Sequence, residues 1–494
     1  MRTNLKHCVV ALLMASQLVI LMTCSTNTEN EDVLSKIRAS VDAGDFKVAR
    51  ELISAELAQL PDLRERSELE FEAIRMDRIE HDFVKTEADV MEYISEFYPW
   101  GGAEDLERWE QSGALEMMRI DGEKRYFRWA ARNLFRIDPE MKLVWTKAHP
   151  EAAVTSGSGA TSDIDSHNLK VMQTAEVTEN PYVLPVRLRI TQSITVPADK
   201  IPAGETLRCW IPYPREIEGR QTEIQIESAT PQVHTLAPPQ AIQRTAYFEQ
   251  TTTEGEDTHF SITYSYTARG TYRNIEAEKV SPVLASAELA PYLAERPPHI
   301  VFTDELRKLS REIIGVETNP YRQAQKLFEW VDVNIPWASA REYSTIRNIP
   351  AYAIRNGHGD CGIQTLTFMT LCRLNGIPTR WQSGWEFQPP NDSMHDWGMI
   401  FFEPYGWVPM DVTYGLRNSD DPKLKWFYLS GMDSYRLIFN DDYSQPFTPP
   451  KTFPRSETVD SQRGEVEWRG GNLYFTDWNW DFQWELLNNA TANL

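Results

Sequence analysis

The sequence predicts a multidomain α+β protein with an N-terminal helical domain, a β-sandwich-like domain, a mixed helix–strand core and a β-rich C-terminal tail. Three observations lead there. The chain has 494 residues, too many for one compact core, so about three domains are expected. Residues 32–147 carry apolar side chains at helical spacing, whereas residues 169–275 alternate with period two between turn signals. From about residue 300 helical spacing returns and then gives way to strands. The expected segments are 1–23 (export signal), 24–149 (helical), 150–168 (linker), 169–290 (sandwich), 291–425 (core) and 426–494 (tail).

The start of the chain reads as an address. Arg2 and Lys6 precede a mostly apolar run, Val9 to Met22, too short for a comfortable membrane span. The run ends in "LMTC", which fits a bacterial lipoprotein cleavage box, with Cys24 as the lipidated N-terminus. Ordinary signal cleavage is the alternative, since Thr23 is an uncommon residue before such a cysteine. Either route takes the chain out of the cytoplasm. Ser25, rather than Asp, after Cys24 points to the outer membrane of a Gram-negative envelope, with a periplasmic or secreted protein as the alternative. Ser25 to Asp32 is polar and acidic, as a tether would be. The expected partners are a membrane, through Cys24, and a protein or peptide substrate. A net charge of −22 without a basic patch argues against a nucleic-acid partner.

The elements follow in order. "EDVLSKIRASVDAGDFKVARELISAEL" reads as two amphipathic helices broken at Ala43-Gly44-Asp45, similar to a tetratricopeptide-type hairpin. Pro150 to Asn168 is rich in Ser, Gly, Thr and Ala and reads as a linker. "VLPVRLRITQSITV" and "DTHFSITYSYTARGTY" read as sandwich strands, and Cys209 beside Trp210 as core. "TDELRKLSREII" is a helix with Thr303 as N-cap, and Pro320 opens the next. In the tail, Tyr474, Trp478, Trp480, Phe482 and Trp484 fall on one strand face, as a sandwich core would.

Five cysteines are present: Cys8, Cys24, Cys209, Cys361 and Cys372. Cys8 leaves with the signal and Cys24 is the anchor. The remaining odd number leaves at least one free thiol. Cys361 occupies a special place. Gly357 and Gly359 permit a turn, Asp360 is an N-cap, and a buried helix runs from Cys361 to about Leu374, ended by Asn375-Gly376. A thiol in that first turn faces the positive end of the helix dipole, which favours a thiolate. Asp360 opposes this unless capping turns its charge away. Cys361 and Cys372 lie roughly 16 Å apart along the helix and cannot pair or share a metal. No metal site and no cofactor are implied.

"HDWGMIFFEPYGWVPMDV" reads as a β-hairpin centred near Pro404. That register puts Asp411 opposite Trp397 and diagonal to His395 on one sheet face, within reach of an Asp–His bond. A slip of one residue would separate them. Cys361, His395 and Asp411 then supply a nucleophile, a base and an orienting acid. His358, three residues before Cys361, is a rival base.

These segments resemble the transglutaminase-like superfamily, whose core is papain-like. The residues concerned are "HGDCG" (358–362), "RLNGIPTRWQSGW" (373–385), "HDW" (395–397) and "GWVPMDVTYG" (406–415), with "VNIPW" (333–337) as a lead-in. The resemblance spans roughly residues 300–420 and implies a Cys361–His395–Asp411 catalytic triad. Asp396 departs from the small residue usual there, and Val412 from a common proline. Trp337 is the aromatic before the nucleophile loop and is expected to line the cleft, with Gln364 a weaker idea for an oxyanion donor. Trp381, Trp385 and Trp397 are further candidates for cleft walls. The expected function is cysteine-dependent acyl transfer on amides through a thioester, with hydrolysis favoured. The alternatives are a protein-glutamine transglutaminase and a non-catalytic surface lipoprotein that binds protein or glycan.

Overall fold

The computed structural model describes residues 33–59, 63–150, 163–232, 234–284 and 286–487. The signal segment 1–23 and Cys24 lie outside them, as does most of the expected linker. The described chain is mixed α+β and divides into two compact units. One comprises the described part of Met1–Tyr93 with Glu116–Ala130; the other comprises Ile94–Leu115 and the described part of Ala131–Leu494.

In the first unit, helices over 33–43 and Phe46–Leu57 meet at Gly44, whose φ of 83° makes the turn. Their apolar faces (Ile37, Val41, Phe46, Ala49 and Ile53) are buried, as are Met76 and Ile79 of helix Leu63–Asp82. An antiparallel pair, Met117–Ile120 with Glu123–Tyr126, completes the unit.

The second unit contains a β-sandwich. In one sheet, Thr258–Tyr272 and Tyr182–Val196 pair over most of their length. The other sheet runs Gly471–Leu473, Glu465–Trp468, Thr206–Pro212, Thr245–Thr251 and Thr235–Leu236. Inward residues of both, including Ile190, Ile194, Cys209, Phe248 and Phe260, form one core. Residues 426–494, set apart in the sequence as a tail, supply edge strands to both sheets. Asn479–Leu487 pairs antiparallel with Tyr182–Val196, and Glu465–Trp468 pairs with Thr206–Pro212. An exposed sheet edge is a liability, and these strands cover two of them.

The aromatic stripe divides. Tyr474 and Trp478 precede the last strand, and Trp480 is 39% exposed. Phe482 stacks on Trp385 at 3.7 Å between ring centroids, and Trp484 leans on Phe387. The stripe therefore fastens the sandwich to a third sheet. That sheet has the order Gly406–Met410, Asn391–Phe402, Thr379–Gln388, Arg436–Asn440.

Helix Cys361–Leu374 packs on this third sheet, and Pro320–Asn334 and Ile349–Asn356 pack against that helix. Its bounds are those the sequence implies. Asp360 accepts from Ile363 N–H at its start, and Gly376 with φ 75° follows its end. Thr303 and Asn319 cap the two preceding helices. The last residues of the expected linker, 163–168, are helical instead and open Asp163–Thr178. Asn168 is buried and donates to the Tyr428 hydroxyl, which a solvated linker would not do.

Phe482→Ala should remove the ring stacked on Trp385 and cost about 2 kcal/mol, less than a fully buried Phe because the ring is half-exposed. Urea unfolding of the variant against the parent checks this; an unchanged midpoint would mean the stack holds nothing together.

Candidate functional site

The predicted hairpin has the predicted register. Phe402 pairs with Gly406 and Gly398 with Met410, so one further step sets Trp397 against Asp411. His395 Nε2 meets Asp411 Oδ2 at 2.8 Å, and both side chains are buried. Behind Asp411 stands a residue that sequence reasoning missed. Arg436 Nη1 donates to Asp411 Oδ2 at 2.9 Å, while its Nε donates to Asp433 Oδ2 at 2.9 Å. Glu386 Oε2 lies 3.5 Å from Arg436 and 3.8 Å from His395. The group is a buried chain of alternating charge: imidazole, carboxylate, guanidinium, carboxylate.

Burial alone would neutralise each member, yet the pairing overrides it. Burial opposes charge on His395, but Asp411 and Glu386 hold the imidazole above its usual 6.5. Burial would raise Asp411, but His395 and Arg436 hold it below its usual 3.8. His395, and then Arg436 from a strand farther along the sequence, keep the buried Asp411 ionised.

Cys361 lies in the first turn of its helix, and its thiol has a different partner. Sγ donates to Asp396 Oδ2 at 3.5 Å, and no hydrogen bond joins Cys361 to His395 among the described residues. Asp396 also accepts from Tyr343 Oη at 3.2 Å and from Gln462 Nε2 at 2.9 Å. Tyr343 Oη donates to Asp360 as well, at 2.8 Å. Gly362 permits this crowding, since a Cβ there would run into the Tyr343 hydroxyl and the Asp396 carboxylate. Burial and the neighbouring Asp360 push Asp396 up to about 8. Burial raises Asp360 to about 6 despite its caps. Burial, then Asp396 and Asp360, push the Cys361 thiol well above its usual value. In this arrangement the sulfur carries its proton.

The other sequence candidates are placed as follows. Trp337, 44% exposed, lines the cavity that holds Cys361, and a parallel bridge ties it to Gly359. Trp381, Trp385 and Trp397 are buried core residues and do not line that cavity; Trp397 Nε1 donates to Gln382. Gln364 is unsuited as an oxyanion donor because its amide is used twice over. Its Nε2 donates to Ile335 O at 2.7 Å and its Oε1 accepts from Thr413 at 2.7 Å. His358 is buried against Tyr352, and burial lowers it to about 4, so it is no base for Cys361 at neutral pH. Cys209 and Cys372 are buried free thiols.

The loop 456–463, between the third sheet and the sandwich, also enters the site. Gln462 Nε2 donates to His395 O at 3.0 Å as well as to Asp396, and Gln462 O accepts from Trp385 Nε1. No local pattern marks this loop in the sequence, and Gln462 lies 67 residues beyond His395. Among the described residues no cluster of three or more His, Cys, Asp or Glu suits a metal ion.

Comparison with known proteins follows this geometry. Residues 307–412 match the family model of the transglutaminase-like superfamily. A candidate cysteine protease from Cytophaga hutchinsonii aligns at 15% identity and a TM-score of 0.44, over 63% of this chain and 93% of that one. The periplasmic domain of TgpA from Pseudomonas aeruginosa aligns at 13% identity and TM-score 0.24, over 52% of this chain and 94% of that one. A candidate protease from Parabacteroides distasonis aligns at 10% identity and TM-score 0.21, over 53% of this chain and 48% of that one. No curated protein matched the chain.

Two outcomes follow from the charge chain. Arg436→Met leaves Asp411 and Asp433 buried without their shared cation, and denaturant titration should show a loss of about 3–5 kcal/mol. The His395 ring, followed by NMR, should titrate above 6.5, and Asp411→Asn should bring it below 6.5, since burial then dominates. The signs agree from both ends of the one interaction. Its contribution through His395 is complete below pH 6.5 and fades as pH rises through the folded value. Through Asp411 it is complete above pH 3.8 and fades as pH falls through the folded value.

Proposed function

We propose that this chain, whose residues 307–412 form a transglutaminase-like domain, is a cysteine-dependent acyl-transfer enzyme acting on amide bonds, with hydrolysis favoured over cross-linking. The observation that carries this reading is the buried His395–Asp411 pair, its carboxylate held ionised by His395 and Arg436, with His395 on a strand packed against the helix that starts at Cys361. An imidazole oriented by a carboxylate is the base a thiol needs, and a helix N-terminus favours the thiolate that results.

For reaction, Sγ turns from Asp396 toward His395 and gives up its proton to the imidazole. The thiolate forms a bond to the amide carbonyl carbon, and the oxygen takes up negative charge near the helix N-terminus. As the C–N bond breaks, His395 returns the proton to the departing amine. A thioester on Cys361 remains. Water then attacks it, losing a proton to His395, and release of the acid restores the thiol. An amine in place of water would give a cross-link. Hydrolysis is favoured because, among the described residues, none forms a closed channel that would keep water from the thioester. The tryptophans once open to that role are core. The Cys361–Asp396 contact favours one second reading, a surface protein whose thiol stays protonated and which only binds.

The envelope is the proposed location, with Cys24 as lipid anchor. No helix among the described residues is long and apolar enough to cross a membrane.

Incubation of the purified chain with peptide and glutamine-donor libraries, with and without an amine acceptor, separates these readings. Free acids are expected, with amine conjugates a minor product. Cys361→Ala should abolish the thioester, and Asp411→Asn should lower turnover by roughly 10²–10⁴-fold with binding little changed. Turnover that survives Cys361→Ala would end the enzymatic reading as stated.

A further inference from the structure

The cavity that holds Cys361 has a volume of about 260 Å³, and its lining is acidic. Glu342, Asp360, Asp396, Glu457 and Asp460 all border it, against two arginines, Arg341 and Arg463. Arg463 is already engaged by two of these acids. Arg463 is held between Glu457 at 3.3 Å and Glu342 at 3.8 Å and lies over the Phe475 ring. Arg341 donates to Thr345. Asp360 and Asp396 receive only neutral donors, Tyr343 and Gln462, besides the thiol and the backbone.

Asp460 is the odd member. It is 8% exposed and borders the cavity, yet its carboxyl has no hydrogen bond or ion pair among the described residues. Its neighbours contact only its main-chain oxygen, to which Gln243 and Arg455 donate. A buried acid without a partner is costly, and a site that keeps one beside a nucleophile leaves room for a cation from outside. No grouping here suits a metal ion, so an organic cation is the fitting counterpart.

We propose that the Cys361 cleft selects substrates that carry a primary ammonium group next to the scissile amide, with the unpaired Asp460 carboxyl as its principal counter-charge and Glu342 as support at the rim. This rests on Cys361 being the nucleophile, as read above, and adds the substrate class. The electrostatics agree. Burial, then repulsion from Glu457 and Asp396, holds Asp460 well above the usual carboxylate range, and burial lifts Glu457 to about 7. An incoming ammonium lets such carboxyls ionise around it, whereas a carboxylate-bearing substrate gains no such counter-charge and leaves them protonated.

The test needs no prior substrate. In the full chain, Cys361 is treated with a cationic aminoethyl, a neutral methyl and an anionic sulfonatoethyl methanethiosulfonate. In each case the thiolate forms a mixed disulfide and displaces methanesulfinate. Cys361→Ser gives the background, and Cys209 and Cys372 are buried. The cationic reagent should outpace the anionic one by about tenfold or more beyond the ratio seen with a small free thiol. Asp460→Asn should cut that excess at least about threefold while the neutral reagent keeps its rate within a factor of two. Glu342→Gln, at a partly exposed position, serves if Asp460→Asn does not fold. An excess absent from the parent, or untouched by both variants, overturns the proposal. Library substrates remade with lysine or acetyllysine beside the cut should differ by about tenfold in kcat/KM in favour of lysine. Cleavage that needs Cys361 but ignores that charge defeats the cation preference and leaves the acyl-transfer reading intact. Cleavage that persists in Cys361→Ala defeats the acyl-transfer reading itself.

Discussion

The buried ionic chain from His395 through Asp411 to Arg436 and Asp433 is the constraint around which the third sheet is arranged. Each of these groups would be expensive to bury alone, and each is tolerated because the next one compensates it. That compensation requires three things at once. The hairpin must hold its register, strand Arg436–Asn440 must pair beside Thr379–Gln388, and no water may reach Asp411. A shift of one residue in either pairing would leave a carboxylate or a guanidinium stranded in apolar surroundings. Electrostatics therefore specifies the register here as firmly as hydrophobic burial does.

Two buried carboxyls of the site meet opposite electrostatic conditions. Asp411, opposite the His395 side of the strand, has an arginine behind it and is held low. Asp396, one residue after His395, has Tyr343, Gln462 and a thiol around it and is held high. The two carboxyls are equally buried, so burial does not separate them; the identity of the facing donor does. The consequence for Cys361 is a protonated resting thiol, which gives the helix dipole nothing to stabilise until the sulfur changes partner. Pairs of titratable groups driven apart by their surroundings are where acid and base roles become distinct, and Asp396 and Asp411 are such a pair.

Much of this was readable in the sequence, and for identifiable reasons. Helix Cys361–Leu374 was legible because its cap, its apolar composition and its glycine stop are all local. The His395–Asp411 contact was legible because a short hairpin turn fixes register across a few residues. What escaped depends on distant pairing. Arg436 reaches Asp411 from another strand, Gln462 arrives in an unpatterned loop, and Asp396 looked like a harmless departure from the family pattern. Trp381, Trp385 and Trp397 were misplaced because aromatic residues near a nucleophile suggest a cleft and a core equally, and only packing decides. The tail was legible as strand but not as the edge of a sheet that begins near residue 182, since strand order leaves no local trace.

That last pairing also bears on when the molecule becomes competent. Tyr182–Val196 waits for Asn479–Leu487, and the cleft waits for the 456–463 loop that precedes it. While the nascent chain is still emerging, the hairpin, the nucleophile helix and much of the sandwich already exist as sequence, yet His395 and Asp396 lack Gln462 and the cavity lacks its acidic far wall. A chain that stops before residue 456 would thus hold Cys361, His395, Asp411 and Arg436 but lack Gln462 and one wall of the cavity, so the site is complete only once nearly the whole sequence has been made.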